Sequence, residues 1–276
     1  MGRKIKTFIG LAIGTMAAWA YAVKPRLFDK PDLSEIRRYD YARGGRHDRK
    51  QQIPENSIPA FRAAIDHGYG IRLDVRLCRD GEPVVFRDSR LFRMCGADGT
   101  VENSTLEELR TLKLDGTREG IPTLQEALDE IDAKVPVLIC LHTEENNCDS
   151  LASQACAVCD TYEGVFAIES DDPRVLRWFR KHRKEYIRGN VVDGRRRTGD
   201  DLPHLLWDFF RFSMLMNFLT EPDYVSVSLD SRFNPSLWIC RAVYRIQRMD
   251  FTVRTMEEYE AVRTGGRIAV FEEIEP

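Results

Sequence analysis

The chain has 276 residues, of which 43% are hydrophobic and 31% are charged, and its formal net charge is -3 at pH 7. That length and apolar content suffice for one large domain with its own core and no disulfide bonds. A slightly acidic balance excludes the bulk attraction on which nucleic-acid-binding proteins rely, so we predict no nucleic-acid partner.

The N-terminal segment differs in composition from the rest of the chain. Three of the first six residues are basic, and residues 7–23 carry no charge. Seventeen residues of helix span about 25 Å, the short end of the range for a transmembrane helix. We therefore predict a membrane anchor over residues 1–24, in a single-pass protein whose domain is extracytoplasmic. A cleaved signal peptide is the alternative, because Ala20 and Ala22 have the spacing of a cleavage site.

The seven cysteines are odd in number and scattered, which does not suit a disulfide framework. Cys156 and Cys159 form a Cys-x-x-Cys pair in a helix-like stretch. A zinc or redox role would need a second ligand pair, and none has metal-binding spacing. We interpret both residues as half-buried helix cysteines.

A polar linker with two prolines is predicted over residues 25–36, followed by one domain over residues 37–276. Strand-like and helix-like segments alternate through this domain. The predicted strands are Tyr39–Ala42, Gly70–Val75, Val135–Leu141, Val165–Glu169, Ile187–Val191, Tyr224–Val227, Asp250–Arg254 and Ile268–Phe271. The predicted helices are Ser57–His67, Thr123–Ile131, Cys148–Tyr162, Pro173–His182, Leu202–Leu219, Pro235–Gln247 and Met256–Arg263. This alternation predicts a (β/α)₈ TIM barrel, with an open doubly wound sheet as the alternative.

The stretch from Cys78 to Gly120 exceeds what one strand-to-helix connection needs. The sequence DGEPVVFRD predicts a turn and a second short strand, and NSTLEELRTLKL predicts a capped helix. We therefore predict a small insertion between the second strand and its helix.

Chemically active residues of a TIM barrel gather where its strands end. Arg43, Asp74, Arg87 and Cys140 all fall at or just after predicted strand ends. The sequence therefore predicts that these four side chains surround one mouth of the barrel.

Several motifs are specific when taken together. They are PENSIPAFRAAIDHGYGI, LDVRLCRDGEPVVF, STLEEL, GIPTLQEAL, KVPVLI, IESDDPRVLRWFRKH, IRGN and the closing VFEEIEP. By these motifs residues 37–276 resemble the glycerophosphodiester phosphodiesterase (GDPD) family, in its membrane-anchored bacterial branch. The resemblance implies a TIM barrel and a calcium-dependent, sometimes magnesium-dependent, phosphoric diester hydrolase of glycerophospholipid metabolism. Such an enzyme releases glycerol 3-phosphate from an alcohol such as choline or ethanolamine.

The family's acid–base positions are replaced in this chain. The resemblance implies two catalytic histidines, and their positions hold Arg43 and Arg87. The phosphate-binding arginine that follows the first histidine is replaced by Gly44, whereas the glutamate of the Pro-Glu-Asn segment is kept as Glu55. Arginine does not release its proton near neutral pH, so neither position can supply a general base. We therefore predict no catalytic residues.

The family's metal site is also depleted. The resemblance places two glutamates and an aspartate on the metal, and these positions hold Arg72, Asp74 and Cys140. A lysine position holds His142, and a late tryptophan position holds Phe251. Because hard cations require several oxygen ligands, we predict no metal cofactor, with Ca²⁺ or Mg²⁺ expected only if the family activity survives.

Two interpretations of the replacements stay open. Arg43, Arg72 and Arg87, with Glu55, could form an anion-binding site for a phosphate-bearing headgroup, because guanidinium matches phosphate in bidentate geometry. The same arginines could instead only close the pocket through salt bridges, with Arg72 paired to Glu55 or Asp74.

We predict a catalytically inactive pseudoenzyme whose partners are a membrane and a glycerophosphodiester or phospholipid headgroup. One alternative is an active metal-dependent enzyme with rearranged ligands, in which His47 or His142 replaces a lost group. The other is a non-catalytic membrane interaction protein.

Overall fold

The computed structural model describes residues 13–144, 146–194, 202–231 and 233–276. Its nine strands in these ranges are β1 (Tyr41–Arg43), β2 (Gly70–Leu77), β3 (Pro83–Val85), β4 (Val137–Leu141), β5 (Phe166–Ser170), β6 (Ile187–Val192), β7 (Tyr224–Ser228), β8 (Gln247–Val253) and β9 (Ile268–Phe271). Eight of them are parallel and run in the order β1-β9-β8-β7-β6-β5-β4-β2. Because β1 also pairs with β2, the sheet closes. The predicted TIM barrel is confirmed and the open sheet is excluded.

Helices cover the outside of the barrel. In the described ranges they are α1 (residues 13–22), α2 (Ser34–Arg38), α3 (Ile58–Asp66), α4 (Phe92–Cys95), α5 (Leu106–Arg110), α6 (Leu124–Ile131), α7 (Cys148–Cys159), α8 (Pro173–His182), α9 (Leu202–Ser213), α10 (Asn217–Thr220), α11 (Pro235–Ala242) and α12 (Met256–Thr264). Local capping explains several starts: the hydroxyl of Ser57 accepts from the third residue of its helix, and Thr123 and Thr255 form capping boxes.

The predicted insertion is present between β2 and α6. Strand β3 pairs antiparallel with β2, and α5 begins at a capping box between Thr105 and Glu108. The insertion has a small apolar core of its own, which includes Phe86, Leu109 and Leu114. Burial of these side chains holds the segment that contains Arg87 against the barrel.

Alternation along the strands divides the core into two layers. One set of strand residues packs outward against the helices, for example Ile71, Leu73 and Val75 of β2. The other set faces the barrel interior, where Tyr41 and Tyr224 fill the end at which the strands begin. On β2 the interior face continues with Arg72 and Asp74, because successive side chains point to opposite faces. The interior is therefore aromatic at one end and charged at the other.

The predicted membrane anchor is wrong. Among the described residues no helix is long and apolar enough to cross a bilayer. The described part of the apolar run belongs to α1. The rest of the run, residues 7–12, lies outside the described ranges. The extracytoplasmic placement of the domain depended on this anchor and is withdrawn with it.

The end of α1 packs on the barrel instead. The Trp19 indole donates to the Ser236 hydroxyl at 2.9 Å, and Tyr244 donates to the Ala20 carbonyl at 2.8 Å. Val23 is completely buried in an apolar cluster with Val225 of β7. Protein side chains therefore cover this end of the apolar run, which hydropathy alone assigned to lipid.

The segment predicted as a polar linker also makes ordered contacts. Arg26 lies 3.6 Å from the Asp223 carboxylate, and Ile36 of α2 is buried. The Tyr41 hydroxyl donates to the Ile36 carbonyl at 2.9 Å. Helix α2 thus covers the end of the barrel at which the strands begin, opposite the charged mouth. The boundaries of the N-terminal segment, the linker and the domain, after residues 24 and 36, remain a prediction.

Candidate functional site

Polar side chains meet inside the barrel near its mouth, the end at which the parallel strands finish. Arg43 ends β1, Arg72 and Asp74 lie on β2, and Cys140 lies on β4. The strand register aligns Arg43 with Arg72, and Asp74 with Cys140. Cys140 is aligned in turn with Glu169 of β5. The structure therefore brings together Arg43, Asp74 and Cys140, three of the four predicted mouth residues, and adds Arg72 and Glu169 to them.

Of Arg43, Arg72 and Arg87, Arg72 is the most enclosed, with 1% of its side chain exposed. Its Nε donates to Glu169 Oε2 at 2.6 Å, and its Nη2 donates to Cys140 Sγ at 3.1 Å. The guanidinium group also lies 5.0 Å from the centre of the Phe251 ring. Burial opposes the charge, but the Glu169 carboxylate, through its charge and its hydrogen bond, holds the pKa of Arg72 above its ordinary value. Arg72 is therefore a fixed cation within the barrel.

Glu169 is the counter-ion of Arg72, and sequence reasoning missed it. Its side chain is fully buried, and it lies 97 positions away from Arg72 in the chain. Burial raises the pKa of the Cys140 thiol to about 12, so the sulfur is protonated at neutral pH and Glu169 supplies the balancing charge. The available signal was an acidic residue within the apolar strand FAIES. Such a residue is rarely buried without a partner.

Asp74 joins Arg43 to His142. One carboxylate oxygen lies 2.7 Å from His142 Nε2, and the other lies 3.7 Å from Arg43 Nε. Although burial opposes ionisation, Arg43 and then the hydrogen bond from His142 hold the pKa of Asp74 well below its usual value. Burial lowers the pKa of Arg43 to about 10, so Arg43 still keeps its proton near neutral pH. Arg43 also donates to the Thr252 hydroxyl at 2.8 Å.

Arg87 lies further out and belongs to a second cluster, centred on Glu272. Glu272 Oε1 lies 3.4 Å from Arg87 Nη1 and 3.9 Å from His47 Nε2. Glu272 Oε2 accepts a hydrogen bond from Arg254 Nη2 at 2.7 Å. Burial opposes its ionisation, but Arg87, Arg43 and Arg254 lower the pKa of Glu272. Sequence reasoning missed Arg254, which lies outside the family motifs, and Glu272, which lies in the closing VFEEIEP motif but received no role.

Glu55 is not among the partners of the three arginines. Its carboxylate pairs with Arg93, which also pairs with Asp88.

Gly44, at the position of the family's phosphate-binding arginine, adopts a φ of +66° and lies in the left-handed region. Its amide donates to the Arg72 carbonyl at 2.7 Å. The backbone here follows a path that suits glycine better than arginine.

Among the residues that the structure describes, two groups of ligand-type side chains could in principle hold a metal. Within each group the ligand atoms lie within 4.8 Å of one another, and the groups are Asp74, Cys140 and His142, and His47, Glu55 and Glu272.

The first group does not fit the hard cation of the family. It contains one carboxylate and a protonated thiol, whereas Ca²⁺ takes six to eight oxygen ligands. Guanidinium nitrogens already lie 3.7 Å from Asp74 Oδ2 and 3.1 Å from Cys140 Sγ. In the second group both carboxylates already pair with arginines. The residues present therefore favour guanidinium over a divalent ion.

Comparison with known proteins agrees with this architecture. Residues 43–213 match the profile of the glycerophosphoryl diester phosphodiesterase family. A glycerophosphodiester phosphodiesterase from Caldanaerobacter subterraneus subsp. tengcongensis is 41% identical over 93 residues, which cover 30% of this chain and 37% of that protein. Human glycerophosphodiester phosphodiesterase 1 is 36% identical over 97 residues, which cover 32% of this chain and 28% of that protein. The chain therefore spans only 37% and 28% of the lengths of these two relatives.

Solved structures share the fold over nearly their whole length. A phosphodiesterase from Oleispira antarctica, solved with its product sn-glycerol-3-phosphate, superposes with a TM-score of 0.68 at 22% identity, over 85% of this chain and 92% of that chain. A glycerophosphodiester phosphodiesterase from Thermotoga maritima gives 0.63 at 21% identity, over 85% and 94%. At this identity the structural likeness establishes the fold alone. The family is established by the profile match, which covers more than half of the chain. The chain therefore belongs to the glycerophosphoryl diester phosphodiesterase family.

Proposed function

We propose that this chain is a non-hydrolytic member of its family, in which the guanidinium group of Arg72 takes the place of the metal ion. The observation that carries the proposal is the contact of Arg72 with Cys140 and Glu169, 3.1 and 2.6 Å away, at the depth of Asp74. Arg72 and Cys140 occupy positions that the family resemblance gives to metal-binding glutamates. A guanidinium neutralises nearby acidic groups but cannot polarise a phosphoryl oxygen as a divalent ion does.

The acid–base chemistry is absent for an independent reason. Arg43 and Arg87 occupy the histidine positions, and Arg43 keeps its proton near neutral pH because its pKa is about 10. Loss of one general acid or base typically costs about 10²–10⁴-fold in rate, and both positions are changed here. His142 lies near the site, but its Nε2 already faces Asp74 at 2.7 Å.

The second part of the proposal is metal-independent binding of a phosphate-bearing anion at the barrel mouth. Within the barrel, Arg72 is balanced by Glu169 and Arg43 by Asp74. Arg72 is too enclosed to reach a ligand, which leaves Arg43 and Arg87 from the predicted anion site. The ligand class, a glycerophosphodiester or its phosphate-bearing headgroup, follows from family membership and from the arginine chemistry.

A hydrolysis assay tests the first part. Purified protein is incubated with glycerophosphocholine in Ca²⁺, in Mg²⁺ and in EDTA, and released glycerol 3-phosphate is measured with a metal-dependent family enzyme as the positive control. We expect no release in any condition. Release that needs a metal and disappears in an Asp74→Asn variant would instead establish an active enzyme with rearranged ligands.

A melting experiment in EDTA tests the second part. Occupancy of a specific site by glycerol 3-phosphate should stabilise the fold by about 2.7 kcal/mol at a hundredfold excess over the dissociation constant. Arg87→Gln should abolish this stabilisation. An unchanged midpoint at millimolar ligand would exclude anion binding and leave only a pocket closed by salt bridges.

A further inference from the structure

We propose that Arg87 and Arg254 form a binding site for a phosphate monoester dianion, and that the Glu272 carboxylate occupies this site until the ligand displaces it. The inference depends on the anion binding proposed above, and it names the ligand class, the binding residues and an internal competitor. Arg254 lies outside the motifs that carry the family resemblance, and Glu272 lies in the closing VFEEIEP motif with no role assigned to it, so the argument comes from their geometry.

The single carboxylate of Glu272 contacts three basic groups at this part of the barrel mouth. Glu272 Oε2 accepts from Arg254 at 2.7 Å, whereas Oε1 lies 3.4 Å from Arg87 and 3.9 Å from His47. Charge-assisted N–H···O bonds are normally about 2.7–2.9 Å long, so only the Arg254 bond is well formed. A single carboxylate therefore satisfies Arg254 and leaves Arg87 and His47 with weak contacts.

The charge of this outer cluster favours an anion. Arg87 and Arg254 contribute two positive charges, and Glu272 contributes one negative charge, while the neighbouring Arg43 is balanced by Asp74. The Glu55 carboxylate also lies within 4.8 Å of the Glu272 carboxylate, but it is paired with Arg93. Both outer arginines reach solvent, because the side chain of Arg87 is 18% exposed and that of Arg254 is 49% exposed. The two guanidinium groups can therefore meet a ligand without rearrangement of the barrel.

Room for the ligand exists beside Glu272. A cavity of about 350 Å³ is lined by His47 and Glu272, and its walls also carry basic and acidic side chains, namely Arg46, Arg49, Lys50, Asp48, Glu273 and Glu275. This volume lies within the range of about 300–1,000 Å³ found for small-molecule sites. Arg87 and Arg254 do not line the cavity, but both contact Glu272 in its wall, so a phosphate that displaces Glu272 lies at the edge of this cavity.

The arrangement selects a monoester over a diester. A monoester carries nearly two negative charges and three terminal oxygens at neutral pH, enough to contact Arg87, Arg254 and His47 together. A diester has one charge and two such oxygens, so it replaces Glu272 with no gain in charge. The ligand class is therefore a small organic phosphate monoester, of which glycerol 3-phosphate is the simplest probe.

Calorimetric titration in EDTA separates the two proposals. Glycerol 3-phosphate and glycerophosphocholine are titrated into the unchanged protein and into Glu272→Gln and Arg254→Gln. Glu275→Gln is the matched control, because it removes the same charge from a neighbouring carboxylate that pairs with Arg46 instead.

We expect the unchanged protein to prefer the monoester by about tenfold or more, the order of one charge-assisted hydrogen bond. Glu272→Gln should tighten monoester binding by a similar factor, Arg254→Gln should weaken it, and Glu275→Gln should change it by less than about twofold.

Equal affinity for the diester, or a Glu272→Gln variant that binds no tighter than the Glu275→Gln control, overturns this inference. If Arg87→Gln abolishes binding while Arg254→Gln leaves it unchanged, the anion-binding proposal stands. The proposed monoester site at Arg87 and Arg254, with Glu272 as its internal competitor, is then wrong. If neither the unchanged protein nor Glu272→Gln binds either ligand at millimolar concentration, both proposals fail together.

Discussion

The Arg72–Glu169 ion pair gives the sharpest test of the claim that a side chain has replaced the metal. We consider the substitution Glu169→Gln, which keeps the shape of the side chain and removes its charge. Arg72 then loses its anion at a site where its side chain is 1% exposed, and its Nη1 already has no hydrogen-bond partner among the described residues. The Cys140 thiol cannot compensate, because burial raises its pKa to about 12.

The expected loss follows from the cost of an uncompensated buried charge. Removing one partner of a buried ion pair typically destabilises a fold by about 3–5 kcal/mol, whereas removing both partners with shape kept is often neutral. We therefore expect Glu169→Gln to cost about 3 kcal/mol and the double substitution Arg72→Met with Glu169→Gln to cost clearly less. The double variant distinguishes an orphaned charge from lost packing.

Urea unfolding followed by circular dichroism measures these losses, with variants compared at equal m values. Glu130→Gln is the matched control, because Arg62 and Glu130 form a two-contact ion pair of 2.7 and 2.8 Å on the surface. Water screens that surface pair, so its loss should lower the free energy of unfolding far less. A Glu169→Gln cost no larger than the control, or a double variant as unstable as the sum of the single ones, would refute the reasoning.

Three further predictions follow from the same contacts. The variant Arg43→His with Arg87→His should remain inactive with Ca²⁺ in the glycerol 3-phosphate assay, because the metal ligands are still missing; turnover would contradict the account of the site. Dialysis against EDTA should leave the thermal midpoint unchanged, and a fall reversed by Ca²⁺ would reveal a metal in the fold. The Asp160 carboxylate accepts from Arg183, which lowers its pKa from 3.8 to about 2. The stabilising contribution of this ion pair is present above pH 4 and is lost as the pH falls towards 2. Asp160→Asn should therefore flatten the pH dependence of the free energy of unfolding between pH 4 and pH 2. An unchanged pH dependence in that window would contradict the prediction.

The barrel was predictable because its signals are local. Strand-like segments such as Gly70–Val75 alternate with amphipathic segments such as Pro173–His182, and both appear in the structure close to the predicted bounds. Parallel strands finish at the same end of a barrel, so the meeting of Arg43, Asp74 and Cys140 followed from strand order alone.

The pairing of those side chains was not predictable, because it depends on distances across the barrel. The sequence offered Glu55 and Asp74 as partners for Arg72, but the closed sheet brings Glu169 of β5 within 2.6 Å and leaves Glu55 to Arg93. Hydropathy failed at the N-terminus for a related reason. An apolar run has the same composition whether lipid or protein covers it, and the contact of Trp19 with Ser236 joins residues 217 positions apart.

The buried ion pair also opposes the introduction of a metal site by single substitutions. Replacement of Arg72 alone by glutamate would place a third carboxylate beside Asp74 and Glu169 with no cation between them, since Arg43 already serves Asp74. Removal of Glu169 first would leave Arg72 as an unpaired buried charge. Each of these two substitutions alone therefore gives a less stable protein, so a metal site here would need changes at both positions together.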